Sequence, residues 1–209
     1  MILLVGVLLG FVAGYVRAWL LKRPYTFPAI QRVELALLAF LPQGFVFFVP
    51  QTGQFVSQQW AALILPVSLG ILGIFVWCNR RVHGFWLLGL GLLLNLAVIV
   101  ANGGLMPISP ETLATVHGEL SAELYDSRAY GSKSIVLPAD ETRLEWLADR
   151  FTLPDWTPIQ FAFSLGDVFL AAGAFWVLWK GGAHGHLATA SHPQEGVQGE
   201  GIEEKVLYS

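Results

Sequence analysis

Residues 84–101 read GFWLLGLGLLLNLAVIVA and contain no charged side chain. Asn95 is the one strongly polar residue in the run. A helix of about 20 mostly apolar residues crosses a bilayer, because its backbone satisfies its own hydrogen bonds within the hydrocarbon. The stretch therefore predicts a membrane-spanning helix with one buried amide, and it decides the class of fold.

Four other segments are long and apolar enough to join this helix in a bundle. They cover residues 2–21, 33–49, 56–78 and 159–179. The second of them contains Pro42, Gln43 and Gly44, which predict either a kink or a re-entrant segment. A kinked helix is favoured, because neighbouring helices can satisfy the backbone groups that proline frees. We therefore expect an all-α membrane protein with five transmembrane helices and a small cap outside the membrane.

The composition of the whole chain excludes several classes of protein. Of its 209 residues, 55% are hydrophobic and 13% are charged, and the mean hydropathy is +0.58. A soluble domain of this size carries about 25% charged residues, so a soluble enzyme is excluded. The net charge of −3 gives no basic face for nucleic acid. The single cysteine, Cys78, forms no internal disulfide, and neither a cofactor nor a metal site is expected.

The positions of lysine and arginine predict the orientation of the bundle. Eight of the twelve basic residues fall in short connections, at helix ends or in the C-terminal tail, all on one side of the membrane: Arg17, Lys22, Arg23, Arg32, Arg80, Arg81, Lys180 and Lys205. With this side in the cytoplasm, the N-terminus lies outside and the C-terminus inside. The lipid bilayer is then the first partner of the chain.

This orientation divides the chain into four regions. Residues 1–101 hold transmembrane helices 1 to 4, residues 102–158 form an acidic extracytoplasmic cap, residues 159–180 form helix 5, and residues 181–209 form a disordered cytoplasmic tail. Within the cap, Ser109 followed by Pro110 is typical of a helix start. Residues 134–137 predict a short extended run, and residues 140–151 predict a short helix.

The ionisable residue Asp167 lies eight residues into the predicted fifth helix. At the rise of an α-helix this places its carboxyl group roughly 12 Å below the outer edge. A carboxyl group at that depth is costly and marks a functional site or a paired structural one. We expect Asp167 to join Asn95, Asn102 and Ser164 in a ligand-binding or structural polar cluster. Both alternatives stay open at this point.

Three glycines in the first helix, Gly6, Gly10 and Gly14, recur at a spacing of four residues. Such a ridge allows another helix backbone to approach closely. The partner is either a helix of the same bundle or the first helix of a second copy in a homodimer.

Two motifs carry a resemblance to an uncharacterised family of bacterial multi-pass membrane proteins, a domain of unknown function. They are Asn102-Gly-Gly-Leu-Met-Pro107 after the fourth helix and Phe163-Ser-Leu-Gly-Asp167 at the fifth. The resemblance covers nearly the whole chain up to Gly181. It implies a location in the bacterial cytoplasmic membrane and implies no activity.

A second resemblance concerns mechanism. Asp149-Arg150 followed by Phe163-Ser-Leu-Gly-Asp167 resembles the paired motifs of lipoprotein signal peptidase. The resemblance implies that Asp149 and Asp167 are a catalytic dyad that shares a proton and activates water. A dyad of this kind requires carboxyl groups within about 5 Å of each other, directly or through one water.

Two functions follow from these observations. The sequence favours a non-enzymatic accessory or interaction subunit of a bacterial membrane complex, because no complete set of catalytic residues stands out. The alternative is an intramembrane enzyme of the aspartyl-peptidase type, or a small transporter, centred on Asp167.

Overall fold

Helices make up most of the described chain, which covers residues 1–49, 56–117, 133–154 and 156–181 of a computed structural model. The helices are α1 (Ile2–Leu20), α2 (Val33–Gln43), α3 (Gln58–Cys78), α4 (Phe85–Ala101), α5 (Pro110–His117) and α6 (Leu165–Gly181). The short strands are β1 (Met106–Ile108), β2 (Ser134–Val136), β3 (Phe151–Thr152) and β4 (Ala162–Phe163). Residues 118–132 of the predicted cap and the predicted tail from residue 182 lie outside the described residues.

Two of the helices, α1 and α3, are long and apolar enough to cross a membrane. Their most apolar windows are only 22% and 17% buried within the chain. A core helix of a soluble protein buries most of its apolar side chains, whereas these two helices present theirs outward. Helix α4 and the segment Val33–Phe47 are shorter apolar helices.

The irregularity predicted at Pro42 appears as a change of helix type. Helix α2 continues beyond Gln43 into a π-helical turn at Gly44–Phe48. Proline lacks a backbone N–H and crowds the preceding turn, and a π turn accommodates the displaced hydrogen bonds.

The glycine ridge of α1 packs against α6 of the same chain. A Cβ atom on Gly10 would lie 2.6 Å from the Cα of Phe175, and one on Gly14 would lie 2.6 Å from the carbonyl oxygen of Leu178. Residue numbers rise together along both helices, so α1 and α6 are parallel. A homodimer through the first helix stays a prediction, and it would have to use a face other than this ridge or displace α6.

Helix α4 packs against α6 in the opposite direction, again through glycine. A Cβ atom on Gly91 would lie 2.5 Å from the carbonyl oxygen of Gly166, and one on Gly84 would lie 2.7 Å from that of Gly173. The cap therefore leaves the helix bundle at the end of α4 and rejoins it at the start of α6, at the same end of the bundle. We call this the cap end of the bundle, and α1 also begins there.

The cap is built on short strands. β1 pairs in parallel with β2, and Ile108 forms a further parallel bridge with Asp149. β3 pairs with β4 through the register of Phe151 with Phe163. The predicted extended run is therefore present as β2. Ser109 caps α5 as predicted, since its Oγ accepts a hydrogen bond from the backbone N–H of Thr112 at 3.2 Å.

Two elements differ from the prediction. The helix expected over residues 140–151 is reduced to the 3₁₀ turn Glu145–Leu147, because the backbone N–H of Asp149 donates to the carbonyl of Pro107 at 3.1 Å and extends the chain along β1. The last helix begins at Leu165 rather than at residue 159. The residues before it pair as β4 with β3 instead of continuing the helix.

Candidate functional site

Asp167, Asn95 and Ser164 form one hydrogen-bonded cluster where α6 begins. The Nδ2 of Asn95 donates to Oδ1 of Asp167 at 2.9 Å. The hydroxyl of Ser164, which is fully buried, donates to Oδ1 of Asn95 at 3.0 Å. The structure thus brings together three of the four polar residues singled out in the sequence.

Ser164 and Asp167 also cap α6 reciprocally. The backbone N–H of Asp167 donates to Oγ of Ser164 at 3.1 Å, and the N–H of Ser164 donates to Oδ2 of Asp167 at 3.3 Å. This is the capping-box arrangement, with aspartate in the position usually held by glutamate. The spacing of serine and aspartate carried this signal in the sequence.

The start of α6 changes the predicted depth of Asp167. Because the helix begins at Leu165, Asp167 lies in its first turn and not eight residues along it. A carboxylate in the first turn of a helix is stabilised by the free N–H groups there. Both oxygens of Asp167 accept hydrogen bonds, so its place in the fold has a structural explanation.

Asn102 lies apart from this cluster and holds the cap on α4. Its Nδ2 donates to the carbonyl of Arg143 at 2.8 Å and to that of Val98 at 2.7 Å. Its Oδ1 accepts from the backbone N–H of Arg143 at 2.9 Å. The side-chain amide of Asn102 therefore forms all three of these hydrogen bonds with backbone groups.

Asp149 has the most unusual environment of the described carboxyl groups. Its side chain is 5% exposed, and its Oδ1 is buried without a hydrogen-bond partner among the described residues. Burial raises the pKa of Asp149 to about 7; the positive charge of Lys133 opposes this rise, and the negative charge of Asp167 adds to it. Asp149 is thus able to gain or lose a proton near neutral pH.

Lys133 was not identified from the sequence, where it is one charged residue in a loop of mixed charge. Burial acts to lower the pKa of Lys133, but the charges of Asp149 and Asp167 together outweigh burial and raise it. The ammonium group therefore lies within electrostatic reach of both carboxylates. Only the path of the cap, through β1, β2 and the segment at Asp149, brings these three residues together.

This arrangement has the features that proton transfer requires. One carboxyl group titrates near neutrality, the second is fixed by two N–H donors, and a lysine supplies a positive charge. Perturbed pKa values of this kind are concentrated at functional sites. Within the described ranges, no three His, Cys, Asp or Glu side chains are arranged to hold a metal ion.

Comparison with known proteins places most of the chain in one family. Residues 28–179 match a family model described as a family of unknown function, DUF5317. A relative from Thermotoga maritima, an uncharacterized protein, is 27% identical over 122 residues, which cover 56% of this chain and 62% of the relative. The match thus spans about three fifths of that relative. No solved structure matches the chain.

The match confirms the expectation of a family of unknown function, and the resemblance to lipoprotein signal peptidase stays a prediction. The matched range includes Asn95, Asp149, Ser164 and Asp167 and excludes the glycine ridge of α1.

Proposed function

The chain belongs to the DUF5317 family, and we propose that it is a multi-pass membrane protein with an acid–base site formed by Asp149 and Asp167. The observation that carries the proposal is Asp149, a nearly buried carboxyl group with an unpartnered oxygen and a pKa of about 7. A carboxyl group in this state destabilises the fold at neutral pH, which a purely structural role does not require.

Two features support five membrane passages with the N-terminus outside. In a chain with five passages, the first and fifth helices cross the membrane in one direction and the fourth crosses in the other. The helices have these directions, since α1 is parallel and α4 antiparallel to α6. Away from the cap, the linker between α1 and α2 meets the last turn of α6, because Thr26 Oγ1 donates to the carbonyl of Gly181 at 3.0 Å. Seven basic residues belong to this second end, which we call the basic end: Arg17, Lys22, Arg23, Arg32, Arg80, Arg81 and Lys180. Basic residues of this kind favour the cytoplasmic side.

Cysteine labelling tests this orientation. In a Cys78→Ser background, a cysteine at Ser132 is expected to react with a membrane-impermeant thiol reagent in intact cells, and a cysteine at Gly196 only after lysis. Labelling is measured by the mass shift of the purified protein. The reverse pattern would contradict the orientation, and equal labelling of both positions in intact cells would contradict a membrane passage between them.

The proposed chemistry is hydrolysis of an amide bond in a peptide at the membrane. Asp167, held by Asn95 and Ser164, takes a proton from water as the water oxygen bonds to the carbonyl carbon, and protonated Asp149 donates its proton to the carbonyl oxygen, which gives a gem-diol. One hydroxyl of the gem-diol then returns a proton to Asp149 and the C–N bond breaks. Asp167 passes its proton to the leaving amine nitrogen, so both carboxyl groups regain their starting states. Two carboxyl groups in different environments divide these acid and base roles in aspartic proteases. Lys133 offsets part of the negative charge, since it is within reach of both groups.

Cleavage in cells tests the acid–base site. Wild-type protein in a bacterial host is expected to generate new peptide N-termini in membrane proteins, and Asp149→Asn and Asp167→Asn are each expected to abolish them. Asp140→Asn changes an exposed carboxylate of the same cap and serves as the control. Since Asp149 acts as an acid, the cleavage rate in membranes is expected to fall as pH rises through about 7. Identical N-termini for wild type and Asp149→Asn would refute the proposal.

An accessory subunit is the second candidate, and the capping of Asp167 favours it. Both oxygens of that carboxylate are used in hydrogen bonds to Asn95 and Ser164, and these bonds account for the residue without any reaction. On this alternative, a stoichiometric membrane partner co-purifies with wild type and equally with Asp149→Asn, and no new N-termini appear.

A further inference from the structure

The basic end of the bundle carries far more positive than negative charge. Its seven basic residues face one described carboxylate, Glu34, which lies 3.5 Å from Arg32. All other described acidic residues belong to the cap or to the start of α6. Among the described residues, Arg32 therefore forms an ion pair at this end, and the other six basic residues form none.

Arg17 differs from the other basic residues because part of its guanidinium group is buried. Its Nη1 has no hydrogen-bond partner among the described residues. The guanidinium carbon lies 5.2 Å from the ring centre of Trp179 on α6. A buried donor of a charged group is costly without an acceptor. The face of Trp179 offsets part of this cost, and an anionic oxygen that accepted from the guanidinium group would offset more of it.

Lys180 provides a second cation beside the same indole. Its Nζ lies 5.9 Å from the ring centre of Trp179, and the ring is in edge contact with Trp176 at 6.1 Å. Two cations beside one tryptophan repel each other, and an anion placed near both would offset that repulsion. Tryptophan also favours the level of lipid headgroups in a bilayer.

The apolar surface next to this pair is suited to acyl chains. On the side of α1 that carries Arg17, Ala13 lies one turn nearer the start of the helix and Leu9 lies two turns nearer, because residues four apart share a helix face. Leu9 is exposed, and Trp176 on α6 is exposed as well. These residues continue from Arg17 and Trp179 toward the middle of the helices. Charged and apolar surfaces therefore meet here in the order in which a phospholipid carries its phosphate and its chains.

We infer that Arg17, Trp179 and Lys180 form a binding site for an anionic phospholipid, with the phosphate on Arg17 and the acyl chains along α1 and α6. The planar guanidinium forms paired hydrogen bonds with phosphate oxygens. The inference rests on the membrane location proposed above and is independent of the acid–base site.

Native mass spectrometry of the full chain in neutral detergent tests the site. Phosphatidylglycerol is expected to remain bound to wild type, whereas phosphatidylcholine is not. Arg17→Gln is expected to weaken the retention of phosphatidylglycerol about tenfold, the loss of a charge-assisted pair. Arg32→Gln is the matched control, because it removes the same charge from an exposed, ion-paired residue at the same end.

Further arms separate the alternatives. Arg17→Lys keeps the positive charge but lacks the planar guanidinium that forms paired hydrogen bonds, so it is expected to retain an intermediate amount of lipid. This variant keeps the test decisive if Arg17→Gln fails to fold. Equal weakening by Arg17→Gln and Arg32→Gln would show general attraction to charge and overturn the site. If inorganic phosphate alone stabilised the wild-type protein as much as phosphatidylglycerol does, the site would bind an ion rather than a lipid, and the inference would be overturned. Insertion into pure phosphatidylcholine vesicles reports the membrane location separately, so its failure is distinguishable from failure of the lipid site.

Discussion

Between pH 3 and pH 8, the stability advantage of Asp149→Asn over the wild type is expected to grow by about 4 kcal/mol. The pKa of Asp149 is about 7 in the folded protein and 3.8 in its ordinary state, and each unit is worth about 1.4 kcal/mol. Because the folded pKa is raised, the folded chain holds this proton more tightly than the unfolded chain. The contribution of this bound proton to the free energy of unfolding is complete below pH 3.8 and is lost as pH rises to about 7.

Equilibrium unfolding in mixed micelles at several pH values measures this difference. Burying an asparagine amide has a cost that does not depend on pH. This cost therefore cancels when the difference in unfolding free energy between the two proteins is compared across pH values, rather than at a single pH. Asp140→Asn, in an exposed part of the same cap, is the control and is expected to leave the pH dependence as in the wild type. A constant difference between Asp149→Asn and wild type across the range would contradict the environment described for this carboxyl group.

Gly91→Ala is expected to destabilise the bundle by about 3 kcal/mol, the upper part of the usual range for overpacking. The added methyl group would lie 2.5 Å from the carbonyl oxygen of Gly166 and 2.8 Å from the backbone N of Leu170. Both contacts are with backbone, so α4 and α6 must separate rather than repack a side chain. The bond between Asn95 and Asp167 spans the same two helices and is expected to lengthen.

Gly70→Ala is the matched control for this substitution. It lies within α3, and no atom is within 4 Å of the position of its added Cβ. Alanine favours a helix over glycine by up to about 1 kcal/mol, so this variant is expected to be neutral or slightly stabilised. Thermal unfolding in the same detergent measures both variants, and equal stability for the two would contradict the close approach of α4 to α6.

Several local features were predictable because they depend on short stretches of chain. The apolar runs predicted the bounds of α1, α3 and α4 to within two residues, and Ser109 predicted the start of α5. The irregularity at Pro42 followed from its missing N–H. The pairing of Asp167 with Asn95 was also accessible, because a polar group in an apolar bundle needs a polar partner.

Other features depended on contacts between distant residues. The start of α6 moved to Leu165 because β3 and β4 pair before it, and the predicted helix ending at 151 gave way to the bridge between Ile108 and Asp149. Lys133 carried no local signal. The charges of Asp149 and Asp167 act on Lys133 only because the folding of the cap brings the three residues near one another.

The sequence by itself determined where the long apolar helices lie, because hydropathy acts along the chain and needs no partner in space. It also determined which residues were polar in apolar surroundings, Asn95 and Asp167 among them. Only the tertiary structure decided what these residues do. Asp167 became a helix cap bonded to Asn95, and Asp149 became the carboxyl group with a pKa near 7. The physical reason is that a pKa depends on burial and neighbouring charge, which are set by the packing of the cap on the bundle.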